Sequence, residues 1–542
     1  MDTATVPALS TAAATGNIVD VVLARTREYP ERTALIVPTA WNERSVTTEQ
    51  RMTFADLGER IASYADGAAS AGLQPGDRVF VVAPMSADLF ALVLGLSAAG
   101  LVVVLIDGAL PRRVFVRALR EVRAKAVVST KQLFRYQWLL PPLWRARKYS
   151  FDSSGLTVAS TSRLRGVPVA GFQPVRRAPG DSALVTFTSG STGSPKGVDR
   201  SHGVMLGQHA ALSHLLCGGE RDVAMTCFPV VAFHNLAAGL TTVMPAADLR
   251  VPAALNPALV LSQLGAHAVT QLSAGPAFLQ RLIEGLGSEP LRGVRTLVVG
   301  GAPVSRDLAR LLLERFPDAE VTVAYGSSEA EPIAHVSARE VAQEAGDGVL
   351  VGAPVPGVEV ALVELPDEPP RLDARGLAPY AVADGRVGEV VVAGPHVATR
   401  YLDNPDADRR RKMRDGARLW HRTGDVGYRD SNGRLWLVGR TTDAVARGDR
   451  LLHPLPLEIE VGACPGVRRA ALIAHRRAPR GELAVEFVED ADVAASLNQI
   501  RRVLAARTLA DLPIRRVAHV PTDRRHNSKV DRLQLRHTLE RA

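Results

Sequence analysis

The chain reads as an α/β protein with a large N-terminal domain of α/β sheets, a small β-rich subdomain, and a small mobile α/β C-terminal domain. Three observations predict this. Helix-period and strand-period stretches alternate from about Asn17 to Ala124 and again from Leu259 onward, as parallel sheets covered by helices require. After Val351, Pro354, Pro356, Pro366, Pro369 and Pro370 punctuate short strand-like runs. The texture shifts again at Gly439-Arg440, beyond which about a hundred residues of compact α/β pattern run to Ala542. A chain of 542 residues exceeds what one hydrophobic core supports, so domains are expected at 1–439 and 440–542.

In order, the periodicity predicts a helix near Ile18–Arg27, a strand at Thr33–Val37, a helix at Thr53–Ala71 and a strand at Arg78–Val82. Leu89 to Ile106 is eighteen residues without a charge and could mimic a membrane span. Gly95 and Gly100 divide it, and the β-branched Val102-Val103-Val104 follows, so a buried helix and then a buried strand are expected. Val114–Val122, Ala126–Val128, Leu259–Leu264 and Ala268–Leu272 continue the rhythm. The strand Thr296–Val299 runs into Gly300-Gly301-Ala302-Pro303 and a helix at Ser305–Arg315; the next strand, Val321–Ala324, ends in Tyr325-Gly326-Ser327-Ser328-Glu329. Ligands of open α/β sheets sit beyond such strand ends. Val358–Val363 and Glu389–Val392 are strands of the β-rich part.

Composition bounds the function. The net charge of +9 favours anionic partners, but the arginines are scattered and no nucleic-acid-binding pattern occurs, so no nucleic-acid partner is expected. Cys217, Cys227 and Cys464 form no CxxC pair and the histidines are not clustered, which speaks against a disulfide framework or a zinc site. Met1 to Gly16 lacks the pattern of a signal peptide, and a cytoplasmic location is expected. Phe134 to Tyr149 interleaves Tyr136, Trp138, Trp144 and Tyr149 with Arg135, Arg145, Arg147 and Lys148. It is either a basic surface segment packed by its aromatics or a peripheral contact with a membrane or a biosynthetic enzyme.

The most informative stretch is Thr186-Phe187-Thr188-Ser189-Gly190-Ser191-Thr192-Gly193-Ser194-Pro195-Lys196-Gly197, behind the apolar run Ala183-Leu184-Val185. A strand opening into glycines, hydroxyls and one lysine suits a phosphate chain: glycines bring N–H groups close, hydroxyls donate, and lysine adds charge. Proline before Lys196 distinguishes it from the common P-loop, and a flexible linker would need neither the proline nor the lysine.

Together with Gly300–Pro303, Tyr325–Glu329, Thr423-Gly424-Asp425, Gly439-Arg440 and a lysine near the C-terminus, this loop resembles the adenylate-forming superfamily of acyl-CoA synthetases, luciferases and peptide-synthetase adenylation domains. The resemblance implies ATP and Mg²⁺ as cofactors and a small carboxylic acid as substrate. It implies that Thr188, Ser189, Gly190, Ser191, Thr192, Gly193 and Lys196 hold the phosphates. Gly301, Ala302, Pro303, Tyr325, Gly326 and Ser328 would line the nucleotide, Glu329 would bind the metal, and Asp425 with Arg440 would meet the ribose. Lys529, in Arg525-His526-Asn527-Ser528-Lys529, corresponds to the catalytic lysine that bridges the acid and the α-phosphate. The chemistry demands such groups independently, because a carboxylate attacking a phosphate needs cations and N–H donors around the developing charge.

Thr442, Ala446 and Leu451-Leu452-His453-Pro454-Leu455-Pro456 depart from the acyl-CoA synthetase pattern around the hinge. With Arg525–Lys529 and Val351–Val360 they are similar to β-lactone synthetases of olefin and natural-product biosynthesis. That similarity implies activation of a β-hydroxy acid whose own hydroxyl displaces AMP without coenzyme A. A CoA ligase, an adenylating ligase with a nitrogen nucleophile and a nucleotide-binding pseudoenzyme are the alternatives. Glu331 departs from that group's Thr-Glu-Ala-Leu-Pro form and leaves the polarity of the acyl pocket open. His234 is a candidate for orienting the carboxylate or taking the hydroxyl proton; its alternative is a packed core histidine.

Overall fold

A computed structural model describes residues 16–106, 112–152, 157–168, 171–188, 196–216, 218–522 and 529–541. Two large sheets organise residues 16–440. In the first, the described strands Val102–Leu105, Arg78–Val81, Ala126–Ser129, Arg147–Ser150 and Ala159–Ser160 run parallel, and Ser182–Thr188 joins them beside Val102–Leu105. The hairpin of Ser182–Thr188 with Lys196–Ser201 then reverses the direction. The second sheet has a parallel half, built from Thr33–Trp41, Thr241–Val243, Val223–Thr226, Gln271–Ala274, Thr296–Gly300 and Glu320–Ser327. Its antiparallel half is the β-rich part expected after Val351. It is hydrogen-bonded to the parallel half through Ala330–Ser337 and Val349–Pro354, and its packing core includes Val355, Val358, Val390, Val392 and Leu435.

The eighteen uncharged residues form the helix Ala87–Ala98 and the strand Val102–Leu105. Every residue of that helix except Asp88 is buried, and its low polarity reflects burial between the sheets. Gly95 is required where the helix crosses Phe54–Ser70, since a Cβ there would lie 2.5 Å from the Cβ of Tyr64. The helix Phe54–Ser70 starts on a reciprocal cap between Thr53 and Asp56, worth about 1 kcal/mol. No helix among the described residues is long and apolar enough to cross a membrane.

Several elements were not foreseen, among them those between Lys196 and Val243 and the edge strand Val46–Thr53. Val46–Thr53 pairs antiparallel with Thr33–Trp41, extending the edge of the second sheet. Its sequence, Val-Thr-Thr-Glu-Gln-Arg-Met-Thr, has no apolar alternation because most of it faces solvent, so periodicity could not reveal it. Segment 134–149 also departs from both a helix and a plain loop. It is the end of Lys131–Phe134, the single turns Gln137–Leu139 and Pro141–Leu143, and the start of the strand Arg147–Ser150.

Beyond Arg440, the antiparallel pair Val467–His475 and Ala478–Phe487, with Ile514–Arg516 parallel to it, carries the helices Pro454–Gly462, Val493–Ala506 and Arg532–Arg541. Leu457, Val461, Leu472, Leu483, Ile500 and Leu504 pack on one side, and Ala471, Ile473, Val520, Leu535 and Leu539 on the other. Arg507 ties this unit to the rest by donating both to Glu460 and to Asp347. Cys227 and Cys464 are free thiols; Cys217 lies outside the described residues.

Candidate active site

The glycine-rich stretch connects two strands whose ends are paired, Thr188 opposite Lys196. Ser189, Gly190, Ser191, Thr192 and Gly193 lie outside the described residues, as does the side chain of Thr188. Lys196, at the loop's exit, places its ammonium 5.6 Å from the centre of the Tyr401 ring. Burial, helped by the nearby Arg411 and Arg410 cations, lowers the lysine's pKa, and Glu329 opposes that shift.

Tyr401 comes from the short strand Arg400–Tyr401, which pairs with Lys196–Ser201 and so approaches the loop from the far edge of the first sheet. Its hydroxyl donates to Glu329 Oε1 at 2.8 Å. Lys412 stands 5.4 Å from the same ring and donates to the carbonyl of Ala398, whose N–H donates in turn to the Glu329 carbonyl at 2.7 Å. Burial brings the Lys412 ammonium down to about 8, with Glu329 and Asp408 working against it. One carboxylate is thus ringed by a phenol and two ammonium groups, an arrangement suited to dense negative charge.

Gly301 and Tyr325 converge because their strands are parallel neighbours: Gly300 pairs with Ala324, and each motif begins one residue later. The Tyr325 hydroxyl donates to Asp425 Oδ2 at 2.7 Å, and Arg440 Nε lies 3.0 Å from Asp425 Oδ1. Asp425 and Arg440 are direct cross-strand partners, which fixes that ion pair. Burial first, and then the Asp425 charge, push the Tyr325 phenol well above its ordinary range; the same carboxylate raises the Arg440 guanidinium. Gly424, with φ of +77°, lets Arg411 come so close that a Cβ would lie 2.7 Å from its Nη1.

Arg200 was not anticipated from the sequence. Only 3% exposed, it donates through Nη1 to Thr186 Oγ1 at 2.7 Å and through Nη2 to the Ser328 carbonyl at 2.8 Å. It therefore bridges the strand that feeds the glycine-rich loop and the turn that carries Glu329. Burial lowers its pKa, opposed chiefly by the Glu331 carboxyl. Glu331 itself is raised by burial and pulled back by Arg200 and Lys529. Lys529, itself exposed, is accordingly within electrostatic reach of Glu331.

His234, in the helix Pro229–Ala238, is 4% exposed and faces His209, with the two Nδ1 atoms 2.9 Å apart. Burial holds His209 at about 4 and His234 at about 3, so both rings are neutral near pH 7 and one must donate to the other. With Ser97 and Gln208 they supply the polar lining of a small cavity of about 40 Å³, otherwise walled by apolar side chains that include Val93, Leu94, Met205, Leu212 and Phe233. The histidines lie in this apolar chamber; the cluster around Glu329 is built from other elements.

Tyr401 and Lys412 carried no usable sequence signal. Lys412 follows three consecutive arginines, a run that reads as a solvated face, and Tyr401 reaches Glu329 across 72 positions of chain.

A carboxylate among cations and a tyrosine–aspartate–arginine chain at strand ends, beside the paired ends of Ser182–Thr188 and Lys196–Ser201, make a site of an α/β fold suited to a polyanionic ligand. The chain belongs to the AMP-binding enzyme family, whose model matches residues 23–402. It is 32% identical over 538 residues to an olefin β-lactone synthetase of Xanthomonas campestris, covering 94% of this chain and 95% of the relative. A feruloyl-CoA synthase of Amycolatopsis is 29% identical over 86% of this chain and 88% of its own. Among solved structures, the amide bond synthetase McbA of Marinactinospora thermotolerans shares the fold with a TM-score of 0.77 and 23% identity, covering 96% of this chain and 99% of that one. The o-succinylbenzoate CoA synthetase of Bacillus subtilis, in complex with ATP and magnesium ion, does so at 0.76 and 20%, covering 95% and 98%. The chain is an adenylate-forming ligase, and enzymes of this kind use ATP.

Proposed function

We propose that the enzyme activates a β-hydroxy carboxylic acid and closes it to a β-lactone. The acid's carboxylate oxygen attacks the α-phosphorus of ATP and pyrophosphate leaves. The β-hydroxyl oxygen then attacks the acyl carbon, AMP leaves with the bridging oxygen, and the hydroxyl proton passes to a base. An internal nucleophile at high effective molarity replaces a second acceptor. The similarity to olefin β-lactone synthetases over 94% of the chain carries this reading.

Residues 1–439 bind ATP and the acid, and residues 440–542 form a mobile lid that brings Lys529 to the reacting groups. The reach of Lys529 toward Glu331 supports that role, since a cation there can bridge the acid and the α-phosphate. Lys196 and the loop from Thr188 to Gly193 hold the phosphates, while Gly301–Pro303, Tyr325, Gly326 and Ser328 line the nucleotide. Asp425, already an acceptor from Tyr325 and Arg440, has the lone pairs to take ribose hydroxyls. Glu329 fits Mg²⁺, which favours one or two carboxylates plus phosphate oxygens and water over a protein cage. The metal would neutralise phosphate charge, and Tyr401 would orient the carboxylate that holds it.

Deep burial keeps His234 neutral and makes it a weak base, which supports a part in orienting the acid over one as proton acceptor. The apolar side chains around it, Val93, Leu94, Met205, Leu212 and Phe233, suit contact with an acyl chain. The reaction takes place in the cytoplasm.

A CoA ligase is the second reading, favoured by the similarity to feruloyl-CoA synthase. Incubation with Mg-ATP and β-hydroxy acids, with and without coenzyme A, separates the two by mass spectrometry. A dehydrated acid mass formed equally without coenzyme A supports the lactone; a CoA thioester as sole product sinks it.

A further inference from the structure

Segment 134–149 has two faces of opposite character. Phe134, Leu140, Leu143 and Ala146 are buried against Phe80, Val102 and Val104 and anchor the segment to the first sheet. Tyr136, Trp138, Leu139 and Trp144 point away from that core, with 58%, 71%, 66% and 61% of their surfaces exposed. The aromatics therefore do not pack the segment down; Tyr149 alone among the four interleaved in the sequence is buried. The exposed ones are held in a defined shape. Trp144 Nε1 donates to the Gln137 carbonyl at 3.1 Å, and the Gln137 amide donates to Thr157 at 3.0 Å, so the two turns are tied together.

The charge on this segment has one sign. From Lys131 to Tyr149 there is no carboxylate; Lys131, Arg135, Arg145 and Arg147 are exposed, while Lys148 turns inward to the carbonyls of Leu143 and Ala146. We propose that this face is a docking surface for an anionic membrane, with Trp138, Leu139 and Trp144 entering the headgroup region and the surrounding arginines meeting lipid phosphates.

Three considerations favour lipid over a protein partner. Tryptophan and tyrosine are at home at the membrane–water interface, where an apolar ring body and a polar edge are both accommodated. Cations near an anionic leaflet are attracted without needing individual partners, which suits a segment that offers several and no counter-charge. The protruding group is four side chains on one short segment, well below the roughly 20–30 residues a side of a stable protein interface. Such a contact is peripheral, in keeping with the absence of any membrane-crossing helix among the described residues. The proposal does not depend on which acid the enzyme activates.

The test is sedimentation of the full chain with vesicles of phosphatidylcholine alone or phosphatidylcholine doped with phosphatidylglycerol, alongside tryptophan emission. The wild type should pellet with the anionic vesicles, shift its emission to the blue on binding, and be released by high salt. W138A/W144A should bind about tenfold more weakly, and R135E/R145E should lose the preference for anionic lipid. Both variants should adenylate a short, soluble acid at the wild-type rate, which establishes that they are folded. Equal binding to the two vesicle types, unchanged binding by W138A/W144A, or vesicle association only when a partner protein is added would each overturn the proposal.

Discussion

Replacing Arg200 with methionine tests whether the root of the phosphate loop and the Glu329 turn are held by one buried cation. The guanidinium is 3% exposed and serves two oxygens, Thr186 Oγ1 and the Ser328 carbonyl, beside the Glu331 carboxyl. A hydrogen bond from a charged donor contributes about 1.5–3 kcal/mol, and stripping one partner from a buried charge pair costs about 3–5 kcal/mol. Both estimates describe loss of the same group, so they are not summed. Arg200→Met should lower the unfolding free energy of the N-terminal region by about 3–5 kcal/mol. Glu331→Gln, which keeps an oxygen acceptor, should cost less. In the double variant the Glu331 charge is no longer stranded, so the combined loss should fall short of the sum by at least about 1 kcal/mol. Urea titration followed by near-UV circular dichroism reads the stability, and pyrophosphate exchange reads the expected rise in KM for ATP. Strict additivity, or an Arg200→Met loss below about 0.5 kcal/mol, would refute the bridging account.

The histidine pair predicts an acid-sensitive core. His209 falls from 6.5 to about 4 and His234 from 6.5 to about 3, so the unfolded chain binds more protons and stability must drop as pH falls from about 6.5 toward 4. The loss should reach about 3 kcal/mol for each histidine, so about 6 kcal/mol for the pair, by pH 4, and His209→Gln should flatten the profile measured by urea unfolding across that range. Lys529→Ala should reduce adenylate formation by about a hundredfold or more while leaving ATP binding, followed by calorimetry, nearly unchanged. Tyr401→Phe removes the hydroxyl that donates to Glu329 and should raise the magnesium concentration for half-maximal activity by several fold, roughly one hydrogen bond's worth.

How much of this was legible in the sequence depended on whether a signal is local. The parallel strands and the strand-end motifs were readable because a strand, its turn and the following helix are contiguous. Gly301 and Tyr325 meet by ladder register alone, and Asp425 meets Arg440 as a cross-strand pair. Arg200, Tyr401 and Lys412 were not readable, since each acts through a partner far along the chain and each resembles ordinary strand or surface chemistry in its own neighbourhood. Glu331 stood out only as a departure from pattern; the reason it can be there is the buried arginine opposite it. In segment 134–149 composition suggested two fates for the aromatics, and only the fold, by burying Phe134, Leu140 and Leu143, shows which rings are left outside.

The central claim is that the acid's own hydroxyl expels AMP. A β-hydroxy acid carrying heavy oxygen in both carboxylate positions tests it most directly, in the absence of coenzyme A, with AMP and the acid-derived product analysed by mass spectrometry. The account predicts one heavy oxygen in AMP, one in the lactone carbonyl, and a ring oxygen that is unlabelled because it came from the hydroxyl. Unlabelled AMP, or labelled AMP accompanied only by free acid and no lactone, would contradict it.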